Sequence, residues 1–521
     1  MWPVLLGCLA ISALTLLLPS TPTYDPWAWI LWGREIAHLD LVTTAGPSWK
    51  PLPVLFTIPF SLFGSAAPYL WLVVARAGGL LACVMTYRVA ARLLRGDRDE
   101  PRNRVYAVLA GLLAALALFS SLKFVRDTAL GNSEALLAGL VLWAFERHLD
   151  GRRDHALYLG VAAALLRPEV WPFLGLYGLW LWFREPRLRL RMGFFALLIP
   201  ALWFLPEWWG SGDAFRASAR ASHPNPQSIA FAEHPALELV KRSWKVVIAP
   251  VKGGVVVAVA YALWAWFRDR RSALGRASVR FSSASRTLVL LIGGCAWFAL
   301  VAIMTEKGYA GNQRYLIVFT AVVSVLGGIG ATRVLQGVER LTTGLTGSER
   351  GGALAAVGAF VVALVVSTPF IAEKEHNTSR VAGGLRYEAR IWSEFKTVLD
   401  RVGGPARLRE CGGVFSGPFQ TQMIAWELHL HGASVAYRPT PPPGVLFRTR
   451  TVPRGPLVTT PTDPRYRQVA RYGKWRVLTV PPTGQRRGPQ RCPRAGSHVP
   501  TAPPPPGGLP FADGRLPRPP H

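Results

Sequence analysis

Apolar residues in this chain come in long blocks, and that arrangement leaves few architectures open. Half of the 521 residues are hydrophobic, 20 are tryptophan and only 17% are charged. A soluble domain of this length spreads its apolar residues over amphipathic elements, whereas a membrane protein gathers them into runs that cross the hydrocarbon core. A hydropathy pass with a window of about 19 residues predicts a polytopic α-helical membrane protein with about 11 transmembrane helices. They fall near 3–20, 67–91, 105–122, 134–149, 155–167, 170–184, 192–207, 243–267, 286–305, 314–335 and 352–371. The fourth to seventh are short, at about 13–16 residues against about 20 for a full crossing. The first run lacks a basic leading segment and a small-residue cleavage site, so it is expected to stay as a helix rather than leave as a signal peptide.

Arginine sets the orientation. Arg92, Arg95, Arg98, Arg102 and Arg104 follow the second run, Arg152 and Arg153 the fourth, and Arg184, Arg187, Arg189 and Arg191 the sixth. Arg268, Arg270, Arg271, Arg276 and Arg280 follow the eighth, and Arg333 and Arg340 the tenth. All these loops lie on one side, which the positive-inside rule makes cytoplasmic. The expectation is a multi-pass plasma-membrane protein with its amino terminus inside and its carboxyl terminus outside. Much of the net charge of +29 is this topology signal. It gives no reason to expect a nucleic-acid partner, and the chain has no phosphate-cradling GxxxxGK[ST] loop.

After Ile371 the composition changes. Residues 372–480 mix charge, glycine and short β-prone runs such as Gly444-Val445-Leu446-Phe447 and Trp475-Arg476-Val477-Leu478-Thr479-Val480, preceded by a helix-like stretch from Arg390 to Val402. A small extracytoplasmic α/β or α+β domain is expected there, following a membrane domain over 1–371. Residues 481–521, rich in Pro, Gly and Arg, are expected to be a disordered tail. Cys411 and Cys492 share the outer segment, where an oxidising compartment permits a disulfide, although two unrelated thiols would look the same in sequence.

The outer loops carry the candidate chemistry. Asp25 follows the first run directly, flanked by Trp27, Trp29 and Trp32. A carboxylate at the mouth of a membrane helix is costly to desolvate, and it can take the proton of an attacking hydroxyl. The alternative is a solvated acid beside an aromatic belt. Lys50 stands in the same loop before Pro51-Leu52-Pro53 and offers an anion partner. The second loop carries Asp127 and Glu134, which suit a supporting acid or a divalent metal, or else a pair with Arg126 and a helix start. Arg167-Pro168-Glu169 in the third reads as a structural tie. The fourth, roughly 207–242, carries Asp213, Arg216, Arg220, His223 and His234 and could fold over the site. In the fifth, Arg314 can snorkel or fork onto a phosphate, and Tyr315 can pack beside it on an isoprenoid or a sugar.

This order resembles the GT-C superfamily of integral-membrane glycosyltransferases: one span, an outer Asp25, an interfacial helix, Lys50-Pro51-Leu52, an apolar run ending Leu62-Phe63-Gly64, and later Arg314-Tyr315 entering a span. It is most similar to the branch holding protein O-mannosyltransferases and the lipid A aminoarabinose transferase. The outer segment and the Ala/Gly/Arg/Val bias resemble the actinobacterial enzymes. The resemblance implies transfer of a sugar, mannose or arabinose class, from a polyprenyl-phosphate donor to a hydroxyl of an envelope glycan, lipid or protein on the outer face, usually with inversion. Asp25 matches the family's first-loop catalytic acid. Lys50 and Arg314 match positions that contact the donor phosphate, with Tyr315 beside them. No cofactor is certain, and a divalent metal is admitted. Three departures stand out: Pro26 follows Asp25 where a second acid is common, Leu52 separates two prolines often in tandem, and Leu316-Ile317-Val318-Phe319 replaces a Pro-rich sequel. Two other classes fit a polytopic basic chain, a glycolipid transporter and a non-catalytic envelope-assembly scaffold. A transporter is expected to show internal repeats and polar residues within its spans.

Overall fold

A computed structural model describes residues 1–95, 101–225, 228–272, 282–437, 441–461, 463–485 and 491–494. Arg98, Arg276 and Arg280 of the topology argument, and most of the predicted tail including its proline run, lie outside the described residues. Each predicted apolar run overlaps a helix, but several overrun it, and the eighth, 243–267, straddles the break between Pro235–Trp244 and Ala249–Ser272. Among the described residues seven helices are long and apolar enough to cross a membrane: Pro51–Arg95, Arg102–Phe119, Pro186–Ser211, Ala249–Arg271, Ser283–Glu306, Gln313–Thr346 and Glu349–Phe370. An eighth candidate is the pair Leu122–Ala129 and Glu134–Leu149, bent by 110°. Helices Arg153–Ala164 and Trp171–Arg184 are shorter, as their short apolar runs foretold.

Helix Ile317–Thr346 is the axis of the bundle, and glycine lets its neighbours close on it. A Cβ added at Gly330 would stand 1.7 Å from the Gly254 carbonyl oxygen, and one at Gly328 would stand 2.4 Å from the Ala110 carbonyl. In lipid, where apolar burial gains little between helices, such close backbone contact is what holds them together. Gly330→Leu is therefore expected to cost about 3 kcal/mol. Thermal unfolding in detergent checks this, and an unchanged Tm would show that the crossing tolerates a side chain.

The tryptophans around Asp25 do not form a belt at the lipid surface. Trp27, Trp29 and Trp32 are each 0–2% exposed. Trp29 packs edge-on against Trp71 at 5.5 Å and Trp27 edge-on against Trp392 at 4.9 Å, while Trp32 lies tilted against Trp49 at 5.4 Å. The reason is local: residues Tyr24–Ala37 form a helix with nine buried residues, so the ring-bearing positions face protein on every side.

The carboxyl-terminal region is a mixed sheet: β1 Gly413–Phe415, β2 Val435–Ala436, β3 Gly444–Arg450, β4 Leu457–Val458, β5 Arg467–Tyr472 and β6 Trp475–Val480. The strand order is β2-β1-β3-β6-β5, with β4 on β3. The β1 pairings are parallel, whereas β3–β6 and β5–β6 are antiparallel, with Phe447 opposite Val477. The two β-prone runs of the sequence are β3 and β6. The β5–β6 turn needs Gly473, whose φ is +49° and where a Cβ would meet the Glu394 carboxyl at 2.1 Å. Cys411 and Cys492 are joined by a disulfide. One helix of 53 residues, Glu349–Arg401, carries the chain from the bundle to this sheet without a break. Phe395 on its far end packs on Phe447 and Trp475 at 5.2 and 4.7 Å.

Candidate active site

Four segments that start helices or turns bring charged residues to one end of the bundle. Asp25 lies in the first turn of Tyr24–Ala37, where the helix dipole favours a carboxylate. Lys50 caps Pro51–Phe60, with a proline at the first helical position that suits a helix start. Glu134 opens Glu134–Leu149. Arg314 sits in the single turn Gln313–Leu316, whose cap Asn312 accepts a hydrogen bond from the Arg314 amide at 3.2 Å. Backbone bonds fix the segments to one another: the Thr23 amide donates to the Leu130 carbonyl at 3.0 Å, and Trp71 Nε1 donates to the Gly131 carbonyl at 2.9 Å.

The hub is Glu134, only 1% exposed. Lys50 Nζ lies 3.3 Å from its Oε1, Arg167 Nη2 donates to the same oxygen at 2.9 Å, and Arg314 Nε stands 3.6 Å away. Arg314 then reaches outward. Its Nη1 donates to Asn132 Oδ1 at 2.7 Å, and its Nη2 to Asp25 Oδ2 at 2.5 Å. Arg167 also donates to Glu169 at 2.5 Å. Three cations thus share three carboxylates in a buried space, where charges are tolerated only when paired. Some hydrogen-bonding capacity is unspent. Arg167 Nε, Arg314 Nε and Trp29 Nε1 are buried donors with no hydrogen-bond partner among the described residues. Lys50 Nζ lies 5.0 Å from the centre of the Trp29 ring, and burial pushes its ammonium down to about 8, with Glu134 opposing.

The structure brings Asp25, Lys50, Glu134, Arg314 and Tyr315 together. Asp127 is directed elsewhere: its carboxylate holds Lys123 at 3.1 Å, and its backbone carbonyl accepts the Asn132 amide at 3.0 Å, so it braces the loop. The Tyr315 ring face is covered by the Arg167 guanidinium at 3.8 Å, which makes it a platform for that cation rather than an open stacking surface. Arg167, Asn132 and Ser133 were not among the expected site residues, although Ser133 Oγ accepts from Lys50 at 3.0 Å. An Arg-Pro-Glu turn between short apolar runs was the available signal for Arg167. Nothing local marks Asn132.

Among the described residues no group of three or more His, Cys, Asp and Glu side chains is placed to hold a metal ion. Glu134 already serves three cations and Asp25 faces Arg314, so the donor set is poorly suited to a divalent ion. The fourth loop packs against the segment that leads to Lys50, with Ser48 Oγ donating to the Ala217 carbonyl at 2.9 Å. Arg216 grips Glu207 through two bonds of 2.6 and 2.8 Å and donates to the Pro47 carbonyl at 3.0 Å, pinning this loop to the segment ahead of Lys50.

The sheet domain closes on the same helix that carries Asp25. Arg34 donates to the Trp426 and Leu430 carbonyls at 3.0 and 2.9 Å. His431 lies between Glu35 and Asp40 at 2.9 and 3.1 Å.

No family model matches the chain, and no curated protein matches it. Solved structures do. The crystal structure of ArnT from Cupriavidus metallidurans bound to undecaprenyl phosphate, and that of the same protein in the apo state, each superpose with a TM-score of 0.50 at 14% identity. In both cases 92% of this chain and 97% of the other are covered. The chain has an ArnT-like fold: a polytopic helical membrane protein with a small carboxyl-terminal sheet domain.

Proposed function

We propose that this protein is a membrane glycosyltransferase that moves a sugar of the mannose or arabinose class from a polyprenyl-phosphate donor to a hydroxyl of an envelope glycan, lipid or protein. The observation that carries the reading is the cluster of Lys50, Arg167 and Arg314 around Glu134 with Asp25 2.5 Å from Arg314, at one end of a membrane bundle. The fold shared with ArnT, a structure of which holds undecaprenyl phosphate, supports it. So does the likeness of residues 20–64 to the GT-C superfamily.

In this reading Asp25 Oδ1, which accepts no hydrogen bond among the described residues, takes the proton of the acceptor hydroxyl. The acceptor oxygen forms a bond to the anomeric carbon as the bond from that carbon to the phosphate oxygen breaks. The leaving phosphate keeps the electron pair, and Lys50, Arg167 and Arg314 stabilise its charge with donors already in place. Site and sheet domain then share the extracytoplasmic side, with the membrane domain over 1–371.

The test is transfer of label by the purified protein in liposomes, from polyprenyl-phosphate mannose or arabinose to a crude envelope glycan. Label moving only when protein is present supports the reading. No transfer together with no binding of undecaprenyl phosphate overturns it. A pH profile adds to this. The Lys50 ammonium binds phosphate and its proton is held only to about pH 8, so kcat/KM for the donor is expected to fall as pH rises through that region. A profile flat from pH 7 to 9.5 would remove Lys50 from donor binding.

A further inference from the structure

The turn that carries Arg314 serves a second cavity. Gln313, one residue earlier, lines a space of about 220 Å³ together with Ser121, Lys123, Arg242, Lys245 and Val246. Three cationic side chains line it and no carboxylate does. They come from separate elements: Lys123 from helix Leu122–Ala129, Arg242 from helix Pro235–Trp244, and Lys245 from the cap of the latter. Lys123 is steadied by Asp127 at 3.1 Å. Arg242 donates through Nε to Glu238 at 2.8 Å, and its carbonyl accepts from Gln313 Nε2 at 3.1 Å. Two carboxylates at the edge therefore face three cations, and the remaining guanidinium N–H groups, the Lys245 ammonium and the Ser121 hydroxyl supply donors suited to an oxyanion.

Helix Pro235–Trp244 shows where the occupant comes from. Leu237, Val240 and Trp244 are spaced three and four residues apart on one face and are all exposed, at 49%, 44% and 66%. Lys241 and Lys245 flank this stripe and Arg242 lies further round the helix, and Lys252 Nζ lies 4.2 Å over the Trp244 ring. An apolar stripe ending in tryptophan and edged with cations is the pattern of a helix lying at the headgroup level of a bilayer.

We propose that this cavity is a second anion subsite, next to the Arg314 cluster, for a phosphate group borne on a lipid. A lipid-linked acceptor and the surrounding phospholipid offer the same chemistry. The assignment to an acceptor rests on the transferase reading; the subsite itself does not. Gln313, which lines this space, directly precedes Arg314, so a phosphate held here would sit beside the turn that carries the first cluster.

The experiment uses the full chain in detergent with the first cluster saturated by undecaprenyl phosphate, titrated with dioctanoyl phosphatidic acid. Saturable binding is expected, weakened about tenfold in R242Q/K245Q, restored in R242K/K245R, and absent for dioctanoylglycerol. Equal affinity in R242Q/K245Q and wild type, or equal affinity for the neutral lipid, overturns the proposal. If undecaprenyl phosphate does not bind and no sugar is transferred while phosphatidic acid binding depends on Arg242 and Lys245, the transferase reading fails and the subsite stands. Transfer assays then assign the source. A defect of R242Q/K245Q limited to phosphorylated acceptors in neutral nanodiscs supports the acceptor. A defect limited to anionic nanodiscs supports the subsite as one for bulk phospholipid.

Discussion

Asp25→Asn lowers sugar transfer by about 10²–10⁴-fold, the range that removal of a positioned general base commands. The side chain keeps its shape, so the helix start and its packing survive. The informative part is the split between steps. In the wild type Arg314 Nη2 is committed to Asp25 Oδ2 at 2.5 Å. A neutral amide releases that guanidinium toward the donor phosphate, so undecaprenyl phosphate is expected to bind the variant at least as tightly as the wild type. Single-turnover transfer and equilibrium binding, measured on one preparation, separate the two. Loss of both together would mean that Asp25 holds the site's shape rather than acting on the acceptor.

Arg314→Lys is the second large effect, and its sign in binding is opposite. A lysine keeps the charge but has one head group in place of a fork. Arg314 reaches Asp25, Asn132 and Glu134 at once through different nitrogens, and an ammonium cannot span the three. Undecaprenyl phosphate affinity is expected to fall about 100-fold, within the range for breaking a desolvated charge network. Glu134 keeps Lys50 and Arg167, so the bundle should fold. Calorimetric titration checks the affinity, and an unchanged value would leave phosphate recognition to Lys50 and Arg167.

Much of the membrane fold was legible because lipid imposes a crude rule: apolar runs become helices. Asp25, Lys50, Glu134 and Arg314 could be picked out because each stands where a polar loop meets an apolar run. What could not be read is pairing. Arg167 and Glu134 are far apart in sequence and meet only because helices Glu134–Leu149 and Arg153–Ala164 fold back on each other. Asp127 resembled Glu134 in sequence, yet Lys123 one turn before it takes its carboxylate. The tryptophans left two readings open for a related reason. Hydropathy does not distinguish a ring facing lipid from a ring facing Trp71, Trp49 or Trp392. The sheet was foreshadowed only by β3 and β6, since β1, β2 and β4 are two or three residues long and β5, Arg467–Tyr472, is half polar.

The unbroken helix Glu349–Arg401 acts as a ruler. At 1.5 Å per residue its 53 residues extend about 80 Å, against about 40–45 Å for a whole bilayer with its headgroups. The height of the sheet domain is thus set by a residue count rather than by a slack connection. Adding one residue midway would lift the far end about 1.5 Å and turn it about 100°, taking the Trp426 and Leu430 carbonyls away from Arg34 and with them the roof over the helix that carries Asp25.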